Sequence, residues 1–355
     1  MIAVHLVVPA GWDDPMRPSG GNVYDQRLGQ GLQGEGWPVV VHPVPGPWPA
    51  ADQTAQRLLG RALAGLADGA LVVVDGLVGC GVPSVLVPAS RRLRLVVLVH
   101  LPLGAGPPEP TDPGAAQREG AVLAAARAVL TTSEWTRRQL LRHYRLAPDR
   151  VHVATPGVDT APAAQVRVEG SALLCVAAVT RQKGHDLLLT ALTELADLGW
   201  DCACVGSLDR EPGYLDALRV RARVAGLADR ISWTGPRTGT SLDEAYATSD
   251  LLVLASRGET YGMVVTEALA RGLPVLATDV GGVSEALGRT DDGRRPGLLV
   301  PPEDPDALAS ALRRWLGDAD LRRELRSAAG RRRSSLAGWD VTTGRVARVL
   351  AQVAA

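Results

Sequence analysis

Two carboxylates, Glu259 and Glu267, stand on either side of a small-residue turn in Arg257-Gly-Glu-Thr-Tyr-Gly-Met-Val-Val-Thr-Glu267. The apolar run from Leu251 to Ala255 reads as a buried strand and residues 257–262 as the loop leaving it. Met263 to Arg271 reads as a helix stopped by Gly272 and Pro274, with a second apolar strand from Val275. A loop at the carboxyl end of a strand, followed by free helix amides, is where an open α/β sheet binds an anion, and phosphate is the anion such a site most often serves. The two acids alone are a weak signal. In the bland reading Glu259 offsets a helix dipole and Glu267 lies on a solvated helix face. The specific signal is the whole run from Ser256 to Gly282 in its strand-loop-helix-strand context.

Taken whole, that run resembles the donor-site signature of retaining nucleotide-sugar glycosyltransferases of GT-B architecture, their family 4 in particular. The resemblance implies an α/β fold of two Rossmann-like parallel-sheet domains facing across a cleft. Glu267 is then placed to accept hydrogen bonds from the vicinal ribose hydroxyls of the nucleotide, since an ionised carboxylate offers two acceptor oxygens. Glu259 addresses the hydroxyls of the donor sugar, and the amides of Tyr261, Gly262, Met263 and Val264 address phosphate and sugar. A side chain at Gly262 would hold the ligand off the backbone.

Transfer from a sugar nucleotide develops negative charge on the departing phosphoryl oxygen, so a cation has to meet it. Lys183, in Ala177-Ala-Val-Thr-Arg-Gln-Lys-Gly184, follows a strand and matches the family's Lys-Gly pair. The arginine usual five residues earlier falls on Ala178, and Arg181 is expected to supply the missing guanidinium. By resemblance Gly206 lies near the phosphates and Gly235 near the base. Gly20 and Gly21, in Ser19-Gly-Gly-Asn-Val-Tyr-Asp-Gln-Arg-Leu28, match a glycine-rich loop and helix start after the first strand, which closes over the diphosphate. His100, ending Leu95-Val-Val-Leu-Val-His100, matches a histidine of the donor-sugar pocket; a single histidine capping a strand is as readily structural. Thr131 to Leu140 and Thr155 to Asp159 are further family landmarks without a catalytic role.

The catalytic set implied is Lys183, Arg181, Glu259 and His100, with no metal and no cofactor beyond the sugar nucleotide as co-substrate. The activity implied is retaining transfer of a sugar from a nucleoside diphosphate to an acceptor hydroxyl. The acceptor attacks from the face the diphosphate leaves, and a phosphate oxygen takes the proton. Competing readings are a relative acting on a nucleotide-activated cyclitol, one that hydrolyses or epimerises a nucleotide sugar, and a non-catalytic binding protein, the last made conceivable by Ala178. Trp12, Asp13 and Asp14 are candidate acceptor contacts.

These residues must be held by alternating strands and helices, the mark of parallel sheets built from βαβ units. Strands read at Ile2–Val8, Pro38–His42, Leu71–Asp75, Leu95–His100 and Ala128–Thr131. After a linker from Thr155 to Gly170 they resume at Leu173–Val179, Cys202–Gly206, Ile231–Gly235, Leu251–Ala255, Val275–Thr278 and Leu298–Val300. Helical patterns fill Gly184–Leu198, Pro212–Ala225, Thr240–Ala247 and Asp304–Leu316. Residues 1–160 form the expected acceptor-binding domain and 161–355 the donor domain, with a last helix at about 339–353 that crosses back onto the first domain in the proteins it resembles.

The 355 residues, 46% apolar, suit two such cores. No apolar run reaches the roughly 20 residues of a membrane span, and the start enters a strand without a basic signal region, so a cytoplasmic enzyme without an integral membrane segment is expected. Thirty-eight basic and 38 acidic residues cancel, which offers nucleic acid no general attraction; the partners expected are the sugar nucleotide and a small-molecule acceptor. The arginine cluster from Arg313 to Arg333 reads as a solvated helix face. Cys80, Cys175, Cys202 and Cys204 lack metal-like spacing and read as small buried hydrophobes. A G-x-G-x-x-G after the first strand, a G-x-S-x-G elbow and an H-E-x-x-H are all absent, which excludes the common dehydrogenase, hydrolase and zinc-peptidase signatures. The glycines from Gly76 to Gly81 follow the third strand and are expected to floor the cleft.

Overall fold

The computed structural model describes residues 2–104, 112–165 and 167–355. The strands are β1 (Val4–Pro9), β2 (Val39–Val44), β3 (Leu71–Asp75), β4 (Arg94–Val99), β5 (Ala128–Thr131), β6 (Val151–Val153), β7 (Ala172–Val176), β8 (Asp201–Val205), β9 (Ile231–Gly235), β10 (Leu251–Leu254), β11 (Val275–Thr278) and β12 (Gly297–Val300). Seven helices come first: α1 (Gly20–Gly34), α2 (Gln53–Ala64), α3 (Gly76–Gly79), α4 (Pro83–Ala89), α5 (Ala115–Ala125), α6 (Glu134–His143) and α7 (His185–Thr193). They are followed by α8 (Tyr214–Val224), α9 (Thr240–Ala247), α10 (Met263–Ala270), α11 (Val283–Leu287), α12 (Pro305–Gly317), α13 (Ala319–Arg333) and α14 (Trp339–Ala354).

The chain divides into two units. Unit 1 comprises Met1–Asp14, Ser19–Gly157 and Ala337–Ala355; unit 2 comprises Pro15–Pro18 and Val158–Leu336. The division therefore falls just after Gly157 instead of after residue 160. Pro15–Pro18 goes with unit 2, where the Ser207 hydroxyl donates to the Met16 carbonyl at 3.3 Å. Val166, in the expected linker, lies outside the described residues.

Unit 1 carries a parallel sheet in the order β2-β1-β3-β4-β5-β6, and unit 2 one in the order β12-β11-β10-β7-β8-β9. Both are doubly wound, and their central strands are continuous Val and Leu because both faces are buried. In unit 1, Leu6, Tyr24, Leu28, Val73, Val96 and Leu350 pack one face, with α14 against α1. In unit 2 the largest buried side chain is Trp315, whose indole N–H donates to the Gly170 carbonyl at 2.7 Å. The cysteines are free and buried as expected, with Cys202 and Cys204 on one face of β8 in the same core cluster.

Several elements, β6 and α13 among them, escape the sequence pattern. β6 is three residues long, and α13 has too few apolar positions to announce itself. The arginine cluster is exposed at Arg313, Arg314, Arg323, Arg331 and Arg333, as expected of a solvated face, and departs from expectation at Arg322. Arg322 is buried, donating to the carbonyls of Val168, Trp315 and Leu316, and Arg333 donates to the Ala270 carbonyl at 2.8 Å and the Ala161 carbonyl at 2.5 Å. These guanidiniums satisfy carbonyls at helix ends and in the segment entering unit 2, where five fixed donors serve better than a point charge. No helix among the described residues is long and apolar enough to cross a membrane.

Candidate functional site

In unit 2 the strand order reverses at β7 and β10, which lie side by side although distant in sequence. Such a switch point leaves a crevice at the carboxyl ends of the two strands. The loop after β7 carries Lys183, on a single 3-10 turn Arg181–Lys183, and the loop after β10 carries Glu259. The Lys183 ammonium donates to Glu259 Oε1 at 2.6 Å, and the Ser256 hydroxyl donates to the same oxygen at 2.7 Å. Both loops are pinned. The Arg257 amide donates to the Gln182 carbonyl at 2.8 Å, and the Gln182 side-chain amide donates to the Gly258 carbonyl at 3.2 Å.

The Glu259 loop ends at Gly262, which caps α10 with φ +92°, a conformation a side chain would strain. A β-carbon there would make only ordinary contacts with Val265 and Val283, so glycine is required by the backbone angle and not by crowding. The first amides of α10, those of Met263 and Val264, point out of the helix start as donors without intrahelical partners, while the Val265 amide donates to the Gly262 carbonyl at 2.9 Å. Tyr261 is buried; Met263 and Val264 are partly exposed.

One turn into α10, Glu267 accepts from the Tyr246 hydroxyl at 2.8 Å, and Arg271 stacks on the same Tyr246 ring while its other nitrogen pairs with Asp243. Glu267 therefore does not lie on a solvated face. Burial raises its pKa, with Asp159 and Asp243 adding to the rise, while the Tyr246 hydrogen bond and the Arg271 charge oppose it. Tyr246, fully buried on α9, carries no motif that the sequence could have flagged.

Arg181 does not join Lys183. Its guanidinium is 76% exposed, lies 3.9 Å from Glu211 and sits over the Tyr214 ring. The guanidinium near the Lys183 turn belongs instead to Arg257, which grips both oxygens of Asp186 at 2.8 and 2.9 Å and reaches Glu303 at 2.6 Å. With two carboxylates on it, Arg257 braces the loops, and Lys183 is the cation beside Glu259. Gly206 ends β8 where its backbone abuts that of Ala177, and its amide donates to the Gly235 carbonyl at 3.0 Å. These two glycines hold the strand ends together at the sheet edge that carries Lys183.

In unit 1, Gly20 and Gly21 belong to the helix start of that motif and not to the loop before it. They open α1, with the Ser19 hydroxyl accepting from the Asn22 amide at 3.1 Å. Gly21 leaves room for the His100 ring, which a β-carbon would approach to 3.3 Å. His100 Nε2 is 2.8 Å from Oδ1 of Asp25, and Asp75, at the end of β3, completes a buried cluster. It is the one group of described residues whose donor atoms are close enough to share a cation. The Nε2–Oδ1 separation is that of a hydrogen bond, which places the imidazole N–H between them. Sequence reading missed Asp25 and Asp75, although Asp25 lies one helical turn beyond Gly21, on the face that meets His100. The glycines from Gly76 onward form the short helix α3, which Asp75 caps by accepting the Leu77 amide at 2.8 Å.

Comparisons with known proteins agree with this fold. The family model described as Glycosyltransferase Family 4 matches residues 3–162, and that described as Glycosyl transferases group 1 matches residues 170–318. The D-inositol 3-phosphate glycosyltransferase 1 of Catenulispora acidiphila is 31% identical over 348 residues, covering 88% of this chain and 80% of that protein. The D-inositol 3-phosphate glycosyltransferase of Jonesia denitrificans is 30% identical over 244 residues, 63% of this chain and 56% of that protein. The chain thus spans little more than half the length of several such relatives. Among solved structures, sucrose-phosphate synthase from Thermosynechococcus elongatus superposes with a TM-score of 0.80 at 21% identity, over 99% of both chains. Anabaena HepE in complex with UDP-glucose gives 0.78 at 17% identity, over 99% of this chain and 100% of that one. At these identities the likeness establishes the fold.

Proposed function

Because the chain belongs to the family 4 glycosyltransferases of GT-B fold, we propose that it transfers a sugar from a nucleoside diphosphate onto a hydroxyl of a small polar acceptor, with retention at the anomeric carbon and without a metal. The observation that carries this reading is the contact of Lys183 with Glu259 at the mouth of α10, with Glu267 one turn further along.

Lys183 and the first amides of α10 stabilise the charge that develops on the departing diphosphate. The ammonium rests on Glu259, and a bound donor draws it to the phosphates and frees the carboxylate for a sugar hydroxyl. Glu267, held by Tyr246, accepts the ribose hydroxyls. The acceptor hydroxyl attacks on the face the diphosphate leaves, its proton passing to a phosphate oxygen, so that Glu259 orients the sugar and forms no bond to it. Exclusion of water during transfer keeps the donor from hydrolysis.

The first acceptor to try is a cyclitol phosphate, since the similar curated proteins are named for D-inositol 3-phosphate. A panel of sugar nucleotides is screened by thermal shift, and the best donors are then incubated with cyclitol phosphates and simple sugars. A product with the mass of a glycoside and the anomeric configuration of the donor is the expected result. Free sugar or an epimer as the sole product, or no turnover with any donor, would refute the proposal.

A further inference from the structure

His100 is backed by two acids that the transfer chemistry above does not use. Asp25 is 0% exposed and Asp75 2% exposed. Three residues on one face of α1 hold the imidazole. Gly21 admits the ring, Tyr24 meets it edge-on with centroids 5.2 Å apart, and Asp25 Oδ1 takes Nε2 at 2.8 Å. That is i, i+3, i+4 spacing, so a single helix fixes the ring's position, tilt and rotation. Tyr24 is itself anchored, its hydroxyl donating to the Ala154 carbonyl at 2.9 Å and its ring packing on Trp339.

The second oxygen of Asp25, Oδ2, is buried and has no hydrogen-bond partner. A buried carboxylate oxygen left bare is costly, and a proton on the neighbouring Asp75 would satisfy it. Asp75 is suited to carry one. Burial first, then the Asp25 charge, push its pKa up to about 7, while one of its oxygens already accepts the Leu77 amide. Burial works against a charged His100, yet the charge and hydrogen bond of Asp25 raise its pKa above the usual histidine value.

We propose that Asp25 is a positioning residue that holds His100 as an imidazolium, its Oδ1 accepting Nε2–H and its Oδ2 accepting the proton of Asp75, so that Nδ1–H is left to donate to an oxygen of a bound ligand. The cluster is then neutral overall: one carboxylate, one imidazolium and one carboxylic acid. This inference rests on the proposed glycosyl transfer only for the identity of the ligand. The other titratable groups around the cluster are Tyr24 on α1, Cys80 after α3, Glu119 on α5 and Arg345 on α14. Burial raises the pKa of Tyr24 and of Cys80, which keeps both neutral.

The test reads the imidazole directly. The chain has six histidines, and the His100→Gln variant assigns the His100 resonances in a side-chain NMR titration of the full-length protein. In the wild type, His100 is expected to stay doubly protonated above the ordinary histidine range of about 6.5. In Asp25→Asn, burial is left unopposed, and its pKa should fall below that value. Asp75→Asn, which keeps a donor to Oδ2, should leave His100 charged and serves as the folded comparison if Asp25→Asn is unstable. In the enzyme assay, Asp25→Asn should lower kcat more than it raises KM and move the alkaline limb of the pH profile toward lower pH. A neutral His100 in the wild type, an unchanged His100 titration in Asp25→Asn, or a stoichiometric divalent ion retained by the purified protein would overturn the proposal. Because the titration needs no substrate, it stands or falls apart from the glycosyl-transfer assay.

Discussion

Gly281 lies directly beneath Glu259: its amide neighbour Gly282 donates to the Glu259 carbonyl at 3.0 Å, and a β-carbon on Gly281 would overlap that carbonyl oxygen. Gly282 is packed as closely against Thr260. The acid is therefore presented by a loop seated on two bare glycines from the far side of β11. Gly281 has φ +55°, so a side chain is disfavoured by conformation as well as by space. Gly281→Ala is expected to destabilise unit 2 by about 2–5 kcal/mol, the sum of overpacking and left-handed strain. Thermal unfolding should show the loss, and calorimetry should show weakened donor binding even where the variant remains folded.

The positions of the two cations predict unequal effects. Lys183→Ala removes the ammonium beside Glu259 and should lower kcat/KM about 10²- to 10³-fold, the magnitude seen when one preorganised donor to a developing anion is lost. Arg181→Ala removes an exposed side chain lying on Tyr214 and should change kcat/KM by no more than about fivefold. Steady-state kinetics on both variants would decide it; equal losses would return Arg181 to the diphosphate.

Acid should loosen the brace between the Lys183 and Glu259 loops. Burial works to raise the pKa of Asp186, but the hydrogen bonds from Arg257 and Tyr214 and the Arg257 charge outweigh it and hold the carboxyl at about 2. A carboxyl depressed in the folded state stabilises the protein above its unfolded pKa, near 4, and that contribution disappears as pH falls from about 4 to about 2. The pair is partly solvated, so the effect is discounted to about 1 kcal/mol. Asp186→Asn should show a flatter loss of stability across this window, read from denaturant unfolding at stepped pH.

Arg322 is expected to be the most sensitive member of the arginine cluster. Its replacement by methionine keeps the stem but strands the carbonyls of Val168, Trp315 and Leu316, for a loss of about 3 kcal/mol. Arg323, which pairs with Asp320 on the helix surface, should tolerate alanine within about 0.5 kcal/mol. Comparative melting of the two variants checks this.

Much of this molecule is written in local pattern. Continuous Val and Leu runs such as Leu71–Asp75 and Leu95–Val99 can only be strands buried on both faces, and their alternation with helices yields two doubly wound units. The run from Ser256 to Gly282 placed Glu259 and Glu267 on a loop and a helix, because a strand, a glycine cap and a helix are decided within a few residues of one another. The exposed or buried fate of a charged residue was not legible in the same way. Arg322 and Arg323 are adjacent and chemically identical, yet one is buried against three carbonyls and the other faces solvent.

What the amino-acid order determined by itself was therefore the fold class, the family and the two acids of the candidate site, since each depends on short-range periodicity and spacing. Tertiary structure alone decided which cation meets Glu259, that Tyr246 holds Glu267, and that Asp25 and Asp75 stand behind His100. Those relationships join residues about 20 to 80 positions apart, and they arise only when parallel strands are laid side by side in an order the chain does not follow.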